Sequence, residues 1–361
     1  MFLKTLTVTV AVVNLLFTSS VNAETQSTVS DGPYIHYGKD TLEATWICNN
    51  LVVKSSFKHD QATQEIAHCD LAAVINKTNF DLPIIEYKGD FKIAAMSDFH
   101  GQYALTTKIL KANNIIDESL NWAFGNGHFV ITGDVFDRGD KVTELLWLLY
   151  KLEQQAEQAG GKLHLLLGNH EVMVLNGDLR YLHPKYHTVS ELLDVDFNEL
   201  FSNETILGRW LRSKPVLVKI NNMIFAHGGF HPTIATKDKS LNEINETFKD
   251  NLVKTELASE RAGFGKFLHK TNGPIWYRGY FKDDGATDDE INLLLTHFDV
   301  SHLVVGHTSQ QQIETRYQGK VIAIDSSIKN GQYGEILLVN KNSFMRGTPE
   351  GKKVPLALSA L

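Results

Sequence analysis

Five polar blocks, each directly following a short apolar run, constrain this chain more than any other feature of its sequence. In order they are Asp98-Phe99-His100-Gly101, Gly133-Asp134-Val135-Phe136-Asp137-Arg138-Gly139, Gly168-Asn169-His170-Glu171, His227 and His307. The apolar runs before them (residues 93–96, 129–132, 163–167, 224–226 and 304–305) read as β-strands. Open α/β sheets bind ligands beyond the carboxyl ends of their strands. Asp98, Asp134, Asp137, Asn169, His100, His170, His227 and His307 would therefore gather at one sheet edge. A single coincidence of this kind means little, but five in register define a site.

The residue types specify its chemistry. Asp98 and His100, two apart, point to the same side of an extended segment and offer donors that suit a divalent first-row metal. Asp134 is the natural bridging ligand, since two adjacent cations need a shared anion between them. Asn169, His227 and His307 would complete a second ion. The absence of thiolates argues against a Cys-rich structural zinc site. His170 with Asp137 could form an imidazole–carboxylate pair that keeps a proton ready for a leaving oxygen. Arg138 and Arg278 are planar, permanently charged donors matched to phosphoryl oxygens. Phosphate monoester hydrolysis can require up to ~10²¹-fold acceleration, whereas a lone general acid supplies only ~10²–10⁴. Two cations that clamp the phosphate and ionise a water supply much of the remainder.

The 361 residues, 43% of them hydrophobic, suffice for a large core. A net charge of −7 gives no electrostatic case for a nucleic-acid partner. Lys4, an apolar core over residues 6–17 and Val21-Asn22-Ala23 read as a signal peptide, residues 1–23. The apolar run is too short to span a bilayer, so no stable membrane insertion is expected once the signal is removed. The mature protein is thus expected to be exported: periplasmic in a bacterium, in the secretory pathway of a eukaryote. Cys48 and Cys69, the only cysteines, are then expected to form a disulfide, worth about 3 kcal/mol in the chain-entropy model. Asn76, Asn203 and Asn245 begin glycosylation acceptor patterns, which carry no meaning in a bacterial host.

Along the chain, residues 24–80 are polar and turn-rich and read as an N-terminal extension laid over a core. Residues 81–345 alternate strand and helix early and are strand-rich later, an α/β pattern, with helices expected over 103–112 and 142–159. Residues 172–213, helical and rich in aromatics, form an insertion between two site-bearing strands. Residues 346–361 read as a C-terminal tail. His128 and His164 are taken as strand residues without a functional role, and His231, close after His227, is the one other histidine worth locating near the site.

These blocks resemble the calcineurin-like metallophosphoesterases. Within that family they resemble the phosphoprotein phosphatases, with signatures Gly-Asp-x-His-Gly, Gly-Asp-x-x-Asp-Arg-Gly and Gly-Asn-His-Glu. Ser97 replaces the first glycine, a departure that removes no ligand. Gly177-Asp178-Leu179-Arg180-Tyr181 and Trp276-Tyr277-Arg278-Gly279 resemble the Shewanella-like protein phosphatases. The resemblance implies a four-layer α/β/β/α sandwich and two divalent or trivalent ions (Mn, Fe or Zn). One ion would sit on Asp98, His100 and Asp134, the other on Asp134, Asn169, His227 and His307. It further implies His170 as general acid oriented by Asp137, and Arg138, Arg278 and Asn169 on the substrate. The expected activity is phosphomonoester hydrolysis on phosphorylated proteins or peptides, phosphotyrosine favoured over phosphoserine and phosphothreonine. The alternative is a periplasmic phosphatase or nucleotidase of broad specificity acting on small phosphate esters.

Overall fold

The computed structural model describes residues 28–58, 63–75, 78–81 and 83–358. The signal-peptide segment and the Asn76 acceptor lie outside them.

Two six-stranded sheets form the centre. The first contains β7 (Ile93–Met96), β8 (His128–Ile131) and β9 (Lys162–Leu165), all parallel, flanked by antiparallel β15 (Ile336–Asn340), β16 (Ser343–Gly347) and β17 (Lys353–Pro355). The second runs β13 (Glu314–Arg316), β14 (Val321–Ala323), β12 (His302–Val305), β11 (Met223–Ala226), β10 (Leu217–Ile220) and β6 (Glu86–Tyr87). Strand alternation places the sheets face to face. Ile93, Ala95, Val130, Val218, Phe225, Val304 and Leu337 pack together between them. Their neighbours Ala94, Met96, Phe129, Ile131, Ala226 and Val305 join the outer core. There α1 (Tyr103–Ala112) and α2 (Val142–Gln158) cover the first sheet, with Ile109, Leu110, Leu145, Leu146, Leu149 and Leu152 buried. The architecture is the expected α/β/β/α sandwich, and the two expected helices lie within a residue of their positions.

Two regions differ from their sequence reading. The N-terminal residues form an antiparallel meander, β1 (Asp31–Tyr37), β2 (Thr41–Cys48) and β3 (Leu51–Lys58), and a hairpin, β4 (Gln64–His68) with β5 (Leu71–Ile75). Tyr34, Leu42, Ala44, Trp46, Ala73 and Ile75 are buried in the main core. In β2, Leu42, Ala44 and Trp46 alternate with Thr41, Glu43 and Thr45, which lowers the average hydropathy while building a strand face, and this is why the segment read as turn-rich. Trp147 Nε1 donates to the Pro33 carbonyl at 2.9 Å and fastens this unit to α2. The Cys48–Cys69 disulfide joins the last residue of β2 to the turn after β4. At the other end, β16 runs past residue 345 and β17 pairs with it, so the segment expected as a tail completes a sheet.

The stretch between β9 and β10 is helical as expected: α3 (Asn169–Leu175), α4 (Pro184–Leu193) and α5 (Ile206–Arg212). Asn245 spends its amide on Val216 N–H and on the Leu217 and Leu241 carbonyls, a structural role that occupies this glycosylation acceptor.

Candidate active site

The parallel strands β7, β8 and β9 end together, as do β11 and β12, and the loops from the two sheets meet. His307 N–H donates to Asp98 Oδ2 at 2.9 Å across the seam. The backbone at these ends is unusual. Asp98, His100, Asp134, Asp137, Arg138 and His307 all have positive φ, between 44° and 70°. Such conformations cost energy for non-glycine residues and gather where function fixes the chain. Gly133 (φ 107°) faces Gly168, and a Cβ on it would collide with the Gly168 backbone nitrogen. Both glycines are needed for the Asp134 and Asn169 loops to approach.

Asp134, 1% exposed, is the hub. Its carboxylate lies 3.7 Å from His100 Nε2, 3.9 Å from His170 Nε2 and 3.2 Å from His227 Nε2. Donor atoms of His100, Asp134 and His170 lie within 4.8 Å of one another, as do those of Asp134, His227 and His307. Asp98 Oδ1 stands 3.7 Å from His100 Nε2, and Asn169 Oδ1 2.9 Å from His227 Nε2. All six expected metal ligands are therefore brought together.

Outer contacts set which nitrogen faces inward. His100 Nδ1 contacts the Phe136 carbonyl at 2.7 Å and His227 Nδ1 the Thr132 carbonyl at 3.0 Å. A carbonyl only accepts, so both rings carry their proton on Nδ1 and present Nε2 to the cluster. This is the tautomer control that metal-ligating histidines require. His170 is anchored by Asp137 instead, Nδ1 to Oδ2 at 2.5 Å.

The electrostatics fit a cationic occupant. Burial alone would depress His227, but Asp134 outweighs it by charge and hydrogen bonding and raises the imidazole to about 9. Burial would raise Asp98, but the His100 hydrogen bond and the His227 charge bring it down to about 2. His307 is pushed well below its ordinary value by burial, His227 and Arg278. Its Nε2 is buried without a hydrogen-bond partner. Buried carboxylates, inward-facing imidazole nitrogens and one orphaned nitrogen form the oxygen and nitrogen donor set of a divalent transition metal.

Arg138 is exposed beside the cluster. Arg278 Nη1 donates to the His307 carbonyl at 2.9 Å and to Thr308 Oγ1 at 3.1 Å, which fixes its guanidinium at the rim. His231 lies apart. Its Nδ1 accepts from Thr233 N–H, and its ring faces Phe267 and Tyr277. Glu171, whose role sequence reasoning missed, is wholly buried and accepts from Asp134, Val135 and Gly168 N–H at 2.7–2.8 Å. It clamps the two loops together. Its place at the end of the third block was the available signal.

Residues 91–311 match the family model of the calcineurin-like phosphoesterases. The chain belongs to that family. As a calcineurin-like phosphoesterase it is a hydrolase of phosphate esters, and the family uses a dinuclear metal centre. It is 30% identical over 284 residues to an uncharacterized protein of Schizosaccharomyces pombe, covering 73% of this chain and 82% of the relative. It is also 30% identical over 233 residues to Shewanella-like protein phosphatase 1 of Plasmodium berghei (strain Anka), covering 62% of each chain. Among solved structures, the cold-active protein-tyrosine phosphatase of a psychrophilic Shewanella species superposes with a TM-score of 0.86. The two share 40% identity over 91% of this chain and 100% of that one.

Proposed function

We propose that this calcineurin-like phosphoesterase is an exported, metal-dependent phosphoprotein phosphatase that favours phosphotyrosine. The carrying observation is the buried His170–Asp137 pair, whose free Nε2 faces the Asp134 hub from which both candidate metal groups radiate. The tyrosine preference takes support from the Shewanella phosphatase that the chain resembles at 40% identity. Export takes support from the Cys48–Cys69 disulfide, since such bonds persist in oxidising compartments. Among the described residues no helix is long and apolar enough to cross a membrane.

Asp98, His100 and Asp134 would hold one ion, and Asp134, Asn169, His227 and His307 the other. Two bound cations offset phosphate charge and make a water nucleophilic at neutral pH. Arg138 and Arg278 orient the phosphoryl oxygens. Water adds to phosphorus and the P–O bond to the side-chain oxygen breaks. His170 Nε2 passes its proton to that oxygen, releasing alcohol or phenol, and regains a proton from the solvent side. Burial would strip that proton, but Asp134 and the hydrogen-bonded Asp137 outweigh it and raise the His170 imidazole. Asp137 is a positioning residue, because it reaches the substrate only through His170.

The test is hydrolysis of matched phosphotyrosyl and phosphoseryl peptides and a nucleotide by the mature protein, before and after chelation and Mn²⁺ restoration. Metal-restored turnover with a phosphotyrosine preference is the expected result. Metal-restored but indiscriminate turnover would favour a scavenging phosphatase of small esters. Absence of turnover would remove the proposal.

A further inference from the structure

Tyr181 stands beside the imidazole proposed to protonate the departing oxygen. After α3 the chain turns at Gly177 (φ 72°), and Asp178 N–H donates back to the Met173 carbonyl. The loop then delivers Tyr181, 43% exposed, to the rim of the site. Two contacts tie it to the machinery. Its carbonyl accepts from Arg138 N–H at 3.0 Å, and the Arg138 guanidinium lies 5.1 Å from its ring centre. Arg180, held by a two-pronged contact to Asp178 at 2.6 and 2.8 Å, brings a second guanidinium to 5.9 Å.

The ring also neighbours the proposed acid. His170 has buried His100 at 4.6 Å on the cluster side and Tyr181 at 5.2 Å, tilted by 50°, toward solvent. An ester oxygen that receives the His170 proton must lie at Nε2, and the half-exposed Tyr181 ring, 5.2 Å from this imidazole, is an aromatic face within reach of the group attached to it. A phenolic ester places an aromatic face there, at centroid separations that favour tilted and edge-to-face packing. A seryl ester places one methylene there and then its own backbone, with nothing for the ring to pack against.

We propose that Tyr181 is a specificity-determining residue of this site, an aromatic wall that selects aryl phosphate monoesters, phosphotyrosyl peptides in particular. The inference rests on the phosphatase reading above and deepens it. Tyr181 makes no covalent contribution. It packs against the leaving aryl group; its backbone carbonyl keeps holding Arg138 N–H after any side-chain replacement, while the ring–guanidinium contact survives in Tyr181→Phe and is lost in Tyr181→Ala.

The experiment compares the metal-loaded full chain with Tyr181→Ala and Tyr181→Phe, using phosphotyrosyl and phosphoseryl peptides of identical flanking sequence. An aromatic contact is worth about 0.5–1.5 kcal/mol, so Tyr181→Ala should lower kcat/KM for the phosphotyrosyl peptide by up to ~10-fold. The phosphoseryl value should change less than ~2-fold, by the same arithmetic. Tyr181→Phe, which keeps the ring, should retain the wild-type ratio. Equal losses on both peptides, or no loss on either, would overturn the proposal and leave Tyr181 a structural rim residue. A wild-type enzyme without phosphotyrosine preference would count against the proposed function instead. The Tyr181→Ala change in ratio would still decide the role of this side chain.

Discussion

Buried histidine clusters lie toward both ends of the central strands, and the two are opposites. At the carboxyl end His227 is raised to about 9, burial being outweighed by Asp134. Toward the amino end His128 and His164 stack against each other, with Nδ1 to Nε2 at 3.0 Å, beneath Phe91 and Tyr87. Burial and Lys162 lower His128 to about 4, and burial, His128 and two lysines push His164 well below its ordinary value. Desolvation acts in the same direction at both ends. A nearby carboxylate decides whether a buried imidazole is pushed above or below its ordinary value. The first cluster is built to receive cations, and the second is an aromatic plug that happens to be made of histidine.

The comparison breaks most severely at its hub. Asp134→Asn removes the shared anion, and metal-restored turnover should fall below detection, with metal content measured in parallel. Full activity in that variant would mean that the carboxyl-end cluster is not the metal centre. Next in size is His170→Asn, expected to cost about 10²–10⁴-fold in kcat on alkyl esters. The loss should be much smaller on p-nitrophenyl phosphate, whose leaving group needs no proton, and equal losses would argue against the acid role.

Asp137→Asn sharpens the same point through pH. Cations held by Asp134 would offset its charge and leave Asp137 as the main support for the raised His170 imidazole. The general acid works only while protonated, so activity falls as pH rises through its pKa. Removing the Asp137 charge should move this alkaline limb to lower pH, and an unmoved limb would detach Asp137 from the acid.

The smallest effect belongs to the plug. His128 has a folded-state pKa depressed below its ordinary 6.5, so its stability contribution is complete above that value. It is lost as pH falls from about 6.5 toward about 4. His128→Gln should flatten the pH–stability curve in that window, by roughly 2–4 °C in Tm. Turnover at neutral pH should stay unchanged, and a tenfold loss would mean that the two ends of the strands are coupled.

Much of the site could be read from the chain because its information is local. Asp98, Asp134, Asn169, His227 and His307 each lie within four residues of the end of a strand, so assigning the strand also marks the candidate ligand. Glu171 was harder, since its role is to accept from backbone N–H groups of two other loops, which no spacing records. Tyr181 was harder still. A tyrosine six residues beyond α3 reads like any exposed aromatic until its loop folds back on Arg138. The N-terminal strands were missed because polar residues interrupt β1 to β4, and β17 because a three-residue strand leaves little pattern.

The sequence by itself determined the donor set, the order in which strands present it and the α/β architecture. These follow from residue chemistry and from alternation within a few residues. Tertiary structure decided which nitrogen of each imidazole faces the cluster, through the carbonyls of Phe136 and Thr132. It also decided in which direction each buried imidazole is pushed, and which ring stands beside His170. Those outcomes depend on contacts between segments far apart in the chain, and a buried side chain takes its protonation from whichever neighbours the fold brings to it.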